Sequence, residues 1–158
     1  EEWMPIELKY VTKKLNKETQ EKIFSSEYVW YNLKNHGAKD LRCYDYLKDI
    51  ERIEEIKKTL QVDNDYKFKE GYTILITNDF GYIKEPNKKD CFYENYALSE
   101  GTEKHGELSW HKNTGKGTKK GKENSIELNG YYPINWKEYS KIDDSSSGIF
   151  YYLINKIE

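Results

Sequence analysis

Glu7 and Lys9 stand two residues apart near the start of the chain, in WMPIELKY, with Ile6, Leu8 and Tyr10 alternating around them. Side chains two apart on a strand point the same way. An acid and an amine would therefore share one face, while the three apolar residues take the other and are expected to be buried. A carboxylate able to hold a divalent metal, beside an ammonium able to act on metal-bound water or steady a phosphate, is the equipment of phosphodiester hydrolysis. An ordinary wet strand face has the same spacing.

A second set of charges lies further along. Leu47, Ile50, Ile53, Ile56 and Leu60 recur at three- and four-residue spacing, which predicts a helix from a cap at Asp40 to about Leu60. At 100° per residue, Arg42, Asp45, Asp49 and Arg52 fall within roughly 80° of one another and overlap the sector of Ile53, Ile56 and Leu60. Asp45, Asp49 and Arg52 are candidates to support a site on the neighbouring strand. The alternative is an ion-pair ladder stabilising the helix by ~0.2 to 0.5 kcal/mol per pair.

The third set is the segment HKNTGKGTKKGK, from His111 to Lys122, with five lysines (Lys112, Lys116, Lys119, Lys120, Lys122), three glycines and no acid. Glycines let backbone N–H groups approach phosphates, and clustered lysines release counterions from a nucleic-acid backbone. Such contacts would position rather than specify. It is not a P-loop, because Lys116 holds the place of its first Gly and Glu123 that of its Ser or Thr. A solvated, mobile hairpin loop is the alternative.

The elements that must position these groups read as α/β with a mixed sheet, strands dominating the second half. Lys17 to Phe24 reads as a short helix and Glu27 to Leu33 as strand-forming. Gly71 to Thr77, GYTILIT, is a continuous apolar run expected to be buried on both faces at the centre of a sheet, ending in a turn at Asn78-Asp79. Tyr93 to Ser99, Glu107 to Trp110, Ser125 to Tyr132 and Ile149 to Ile154 read as further strands, and Asp143 to Gly148 as a flexible connector.

Composition bounds the rest. A chain of 158 residues is expected to be one domain, or most of one, and 15 Tyr, 5 Phe and 4 Trp supply the bulk that a 36% hydrophobic fraction would otherwise lack. The net charge of -2 excludes a uniformly basic coat but not a local basic patch. Cys43 and Cys91 are too few for a disulfide scaffold and suggest a reducing cytoplasm. With His105 and His111, Cys91 lacks a fourth ligand at zinc spacing. No apolar run approaches the ~20 residues of a membrane helix. Glu1 and Glu2 lead straight into strand-like sequence, so the chain is expected to be the C-terminal part of a longer protein, with an upstream segment beside it.

PIELKY followed by the helix and by GYTILITND resembles the PD-(D/E)XK phosphodiesterase superfamily, the restriction endonuclease-like fold. The segments NLKNHGAKDLRCYDYLKDIERIE, ITNDFGYIKE, ALSEG and LSWHKNTGKGTKKGKE are similar to those of uncharacterised bacterial restriction-type proteins. The resemblance implies that Glu7 is a ligand for Mg²⁺ or Mn²⁺, that the main-chain carbonyl of Leu8 is a second, and that Lys9 acts on water or phosphate. It implies DNA as the partner, in a restriction or defence setting, and is compatible with a homodimer. The superfamily's other acid belongs on a preceding strand and has no counterpart before Glu1. A non-catalytic module on the same fold, binding nucleic acid or protein, is the alternative function.

Overall fold

The computed structural model describes residues 1–19, 29–62, 66–87 and 91–158. In chain order the elements are β1 (Glu2–Trp3), β2 (Ile6–Val11), β3 (Leu15–Thr19), β4 (Val29–Leu33), α1 (Lys39–Gln61), β5 (Lys67–Phe68), β6 (Gly71–Thr77), β7 (Glu103–Leu108), β8 (Ile126–Pro133), β9 (Lys137–Lys141) and β10 (Ile149–Ile157). Four strands form a mixed sheet in the order β2-β6-β10-β9, with β2 and β6 parallel and the other pairs antiparallel. Helix α1 is the crossover between the two parallel strands. The expected α/β outline with a mixed sheet is what the chain adopts.

Two layers pack on α1. Asp49, Arg52 and Ile53 project toward the sheet, whereas Glu51 and Glu54, on the far side of the helix at 100° per residue, meet the hairpin of β7 and β8. Cys43, Tyr46, Leu47, Ile50 and Ile53 are buried between them, with Leu75, Leu153, Ile126 and Leu128. Tyr46 donates from its hydroxyl to Asn155 Oδ1 at 2.9 Å, and Asn155 Nδ2 donates to Pro133 O at 2.8 Å, so a satisfied polar chain runs through this core.

Which face of the sheet meets the helix is decided at Gly71. A Cβ there would lie 2.4 Å from Ile53 Cγ2 and 3.2 Å from Phe68, so α1 crosses at a distance only glycine permits. Side chains alternate along a strand, which turns Thr73, Leu75 and Thr77 to the helix and leaves Tyr72, Ile74 and Ile76 half-buried on the other side. The central strand is thus covered on one face, not on the two expected. Replacing Gly71 by Ala is expected to destabilise the fold by about 1 to 3 kcal/mol through overpacking against a fully buried Ile53, read from the urea midpoint.

The register carries this parity to β2. Glu7 pairs with Thr73, Leu8 with Ile74 and Lys9 with Leu75. Glu7 and Lys9 consequently face α1, and Ile6, Leu8 and Tyr10 face outward, the reverse of the expectation from hydropathy.

Other expectations are corrected locally. Ala38, with φ of 58°, holds the helix N-cap position, no side chain caps it, and Asp40 sits in the first turn. Lys17 to Thr19, where a helix was expected, belong to strand β3, the remainder of that span lying outside the described residues. Tyr93 to Ser99 forms no strand but contains a 3₁₀ turn, Glu94–Tyr96. The edge strand β9 carries no apolar alternation and was not foreseen. Asn78 is fully buried and clamps three segments: it accepts from Lys13 N at 2.7 Å and donates to Lys13 O at 3.1 Å and Ser147 O at 2.7 Å. The connector beyond β9 is tied in through an ion pair of Asp143 with Lys17.

Candidate active site

Strand β2 delivers Glu7 and Lys9 to α1, and α1 delivers Asp49 and Arg52 to β2. Lys9 Nζ lies 2.6 Å from Asp49 Oδ2, an ion pair rather than a directed hydrogen bond. Arg52 Nη2 donates to Asp49 Oδ1 at 2.9 Å and pairs with Glu7 Oε1. One guanidinium nitrogen therefore bridges the two carboxylates. Asp49 is 5% exposed, and burial pushes its carboxyl above the usual range despite the opposing charges of Lys9 and Arg52. Simple ladder pairs on a helix surface do not behave this way.

Beside this quartet is a hollow of about 270 Å³ lined by Lys9, Tyr10, Val11, His36 and Arg42. His36 has a defined polarity: Thr12 N–H donates to its Nδ1 at 2.9 Å while the Thr12 hydroxyl donates to Lys34 O. With Nδ1 accepting, the ring proton sits on Nε2. Lys9, His36 and Arg42 bring nitrogen donors to the hollow and no acid lines it, a composition suited to an anion. His36 carries no local signal in the sequence, since it lies 27 positions beyond Lys9 in a stretch without periodicity; its hydrogen bonds to Thr12 form only across the end of the sheet.

Asp45 belongs to the same helix face but not to the quartet. It pairs with Lys122 and lies 3.8 Å from Arg42. Lys122 is held further by its ammonium, 5.5 Å from the Tyr44 ring centroid, and by its carbonyl, which accepts from Trp110 Nε1 at 2.6 Å. The basic segment is thus anchored at its C-terminal end against α1, not a loose hairpin tip. Lys112, Lys116 and Lys120 are exposed in it, Lys119 half-buried, and none of the four is placed in the quartet.

The main-chain carbonyl of Leu8 has a defined direction. Tyr72 N donates to Pro5 O, and in a parallel ladder alternate residues bond the same neighbour. The carbonyls of Glu7 and Lys9 therefore face β6, and that of Leu8 faces the open edge of the sheet.

Compared with protein-family models, with curated proteins and with solved structures, the chain matches none. Its chemistry rests on its own geometry.

The donor set can be tested against a divalent ion. Among the described residues no three His, Cys, Asp or Glu side chains converge, so a closed protein cage of the zinc type does not fit. Mg²⁺ asks for less, commonly one or two carboxylates with waters and substrate phosphates completing the shell. Glu7 and Asp49 meet that requirement once Arg52 withdraws, and Arg52 is the base free to do so, its side chain 52% exposed against 26% for Lys9. Withdrawal would open Glu7 Oε1 and Asp49 Oδ1 toward the single position that Nη2 occupies.

Proposed function

We propose that this chain carries the phosphodiester-cleaving site of a metal-dependent, endonuclease-like protein acting on DNA in a cytoplasmic restriction or defence setting. The observation that supports it is the convergence of Asp49 on Glu7 and Lys9, with Arg52 Nη2 standing between the two carboxylates as a cation would. Glu7 and Asp49 would hold Mg²⁺ or Mn²⁺, which supplies charge for the scissile phosphate and acidity for an attacking water. Lys9, fixed by Asp49, steadies the phosphate. The donors of His36 and Arg42 orient the adjoining backbone, and the exposed lysines of the 112–120 segment hold the strand beyond without reading bases.

The experiment is cleavage of plasmid and linear DNA with Mg²⁺, Mn²⁺ or chelator. Cleavage only with the cation, abolished in Glu7→Gln while far-UV circular dichroism is unchanged, is the expected result. Cation-independent turnover, or undiminished turnover in that variant, would end the assignment. A second reading, binding without catalysis, is favoured by one observation: Lys9 and Arg52 already engage three of the four carboxylate oxygens. Salt-dependent DNA binding with no cleavage in either metal would select it.

A further inference from the structure

We propose that two copies of this chain associate face to face through the open side of the four-stranded sheet, the side away from α1. The register sets out that surface in three rows across β2, β6 and β10: Ile6, Tyr72, Lys156; Leu8, Ile74, Ile154; and Tyr10, Ile76, Tyr152. Eight of these nine positions are apolar or aromatic. Tyr139 of β9 extends the last row, its ring centroid 6.4 Å from that of Tyr152.

The surface is wet in the single chain. Ile6, Leu8, Tyr10, Tyr139 and Ile154 are 44% to 64% exposed. At roughly 200 Å² per large side chain, these five offer on the order of 500 Å². Partly covered Tyr72, Ile74, Ile76 and Tyr152 bring the total toward the ~800 Å² per partner of a standard interface, above what monomers commonly leave as one contiguous patch.

Charge selects the occupant. Lys156, the one ion in the three rows, is paired within the chain, at 3.0 Å to Glu70 and 2.8 Å to Glu158, so the rows present no free cation for an acidic partner to match. What it requires is an apolar surface of equal extent, and a second copy supplies one. Placing a two-fold axis near Ile74 sets the middle row of each copy across the other, giving a self-complementary contact between sheets ~10 Å apart. The Glu7, Lys9, Asp49 and Arg52 quartet lies on the opposite face of the same sheet and stays open in such a pair. This inference does not depend on the proposed catalysis.

Sedimentation velocity on the full chain tests it, with Ile74→Glu at the centre and Ile154→Glu on β10, two strands from the free edge of β2. At about 100 µM the wild type should sediment as a species of twice 18.9 kDa. Ile154→Glu, at an exposed site where folding tolerates the change, should sediment as a monomer with an unaltered circular dichroism spectrum, its dissociation constant raised at least about 100-fold. A monomeric wild type at that concentration overturns the proposal. So does a dimer that persists in Ile154→Glu, because pairing edge to edge through β2 would not involve that side chain.

Discussion

Replacing Glu54 by Ala is expected to remove about 3 to 5 kcal/mol of folding stability, the largest loss foreseen for any single side chain outside the apolar core. Its carboxylate is the acceptor for the β8 edge that faces α1: Asn129 N–H and Nδ2 donate to Oε2 at 2.9 Å each, Gly130 N–H to Oε1 at 2.8 Å, and the Tyr132 hydroxyl to Oε1 at 2.6 Å. Glu51 repeats the arrangement one turn earlier, accepting from Glu127 N–H at 2.8 Å. In effect two helical carboxylates stand in for a missing neighbour strand. Truncation leaves the buried Tyr132 hydroxyl and the part-buried donors of Asn129 and Gly130 without their acceptor, each worth ~1 to 3 kcal/mol where water does not replace the carboxylate. Burial alone would raise the Glu54 carboxyl, but the bonds from Asn129, Tyr132 and Gly130 outweigh it and hold it below the ordinary range. A depressed folded value means that stability is present above the unfolded value of ~4.3 and is lost as pH falls through the folded one. Urea melts of wild type and Glu54→Gln from pH 7 to about pH 3 check this. The gap between them should narrow below about pH 4, and a constant gap would show that the charge is not what ties the hairpin to the helix.

Lys9→Met is expected to cost about 2 to 4 kcal/mol, since it leaves the Asp49 carboxylate buried with Arg52 as its remaining partner. Glu7→Gln, by contrast, alters a half-exposed group and should be nearly neutral for folding, which makes it the cleaner probe of chemistry. Asp49 has the opposite linkage from Glu54. Its folded carboxyl is raised, by burial first and against the pull of Lys9 and Arg52, so its contribution is full below the unfolded value and is lost as pH rises through the folded one. The Lys9→Met penalty should accordingly shrink on acidification, where Asp49 takes up a proton. Adding Asp49→Leu should recover much of the loss at neutral pH, because a buried pair replaced by apolar groups of similar size is often close to neutral. A double variant less stable than the sum of the two singles would refute this account of the pair.

The part of the site carried by local spacing was legible. Glu7 and Lys9 two apart on a strand must share a face, and Arg42, Asp45, Asp49 and Arg52 must share a helix sector, whatever surrounds them. The meeting of the two sets was not contained in either spacing. It depends on the parallel pairing of β2 with β6 and on the crossover that lays α1 over both. His36 escaped notice because its polarity is set by Thr12, 24 residues away, and Glu54 because its partners lie 75 or more residues downstream.

By itself the sequence determined the elements whose signal is local: α1 from its apolar periodicity, β6 as the central strand from an unbroken apolar run, and β8 and β10 from strand-forming residues set between turn signals. Which way β2 faces was beyond it. Alternation states that two faces differ but not which one meets the core, and hydropathy assigned Ile6, Leu8 and Tyr10 to the interior. Tertiary structure reversed that assignment through one close contact, Gly71 beneath Ile53, whose parity the parallel register transmits to every residue of β2. The same contact turns an acid and an amine inward to Asp49 and leaves an apolar sheet face outward.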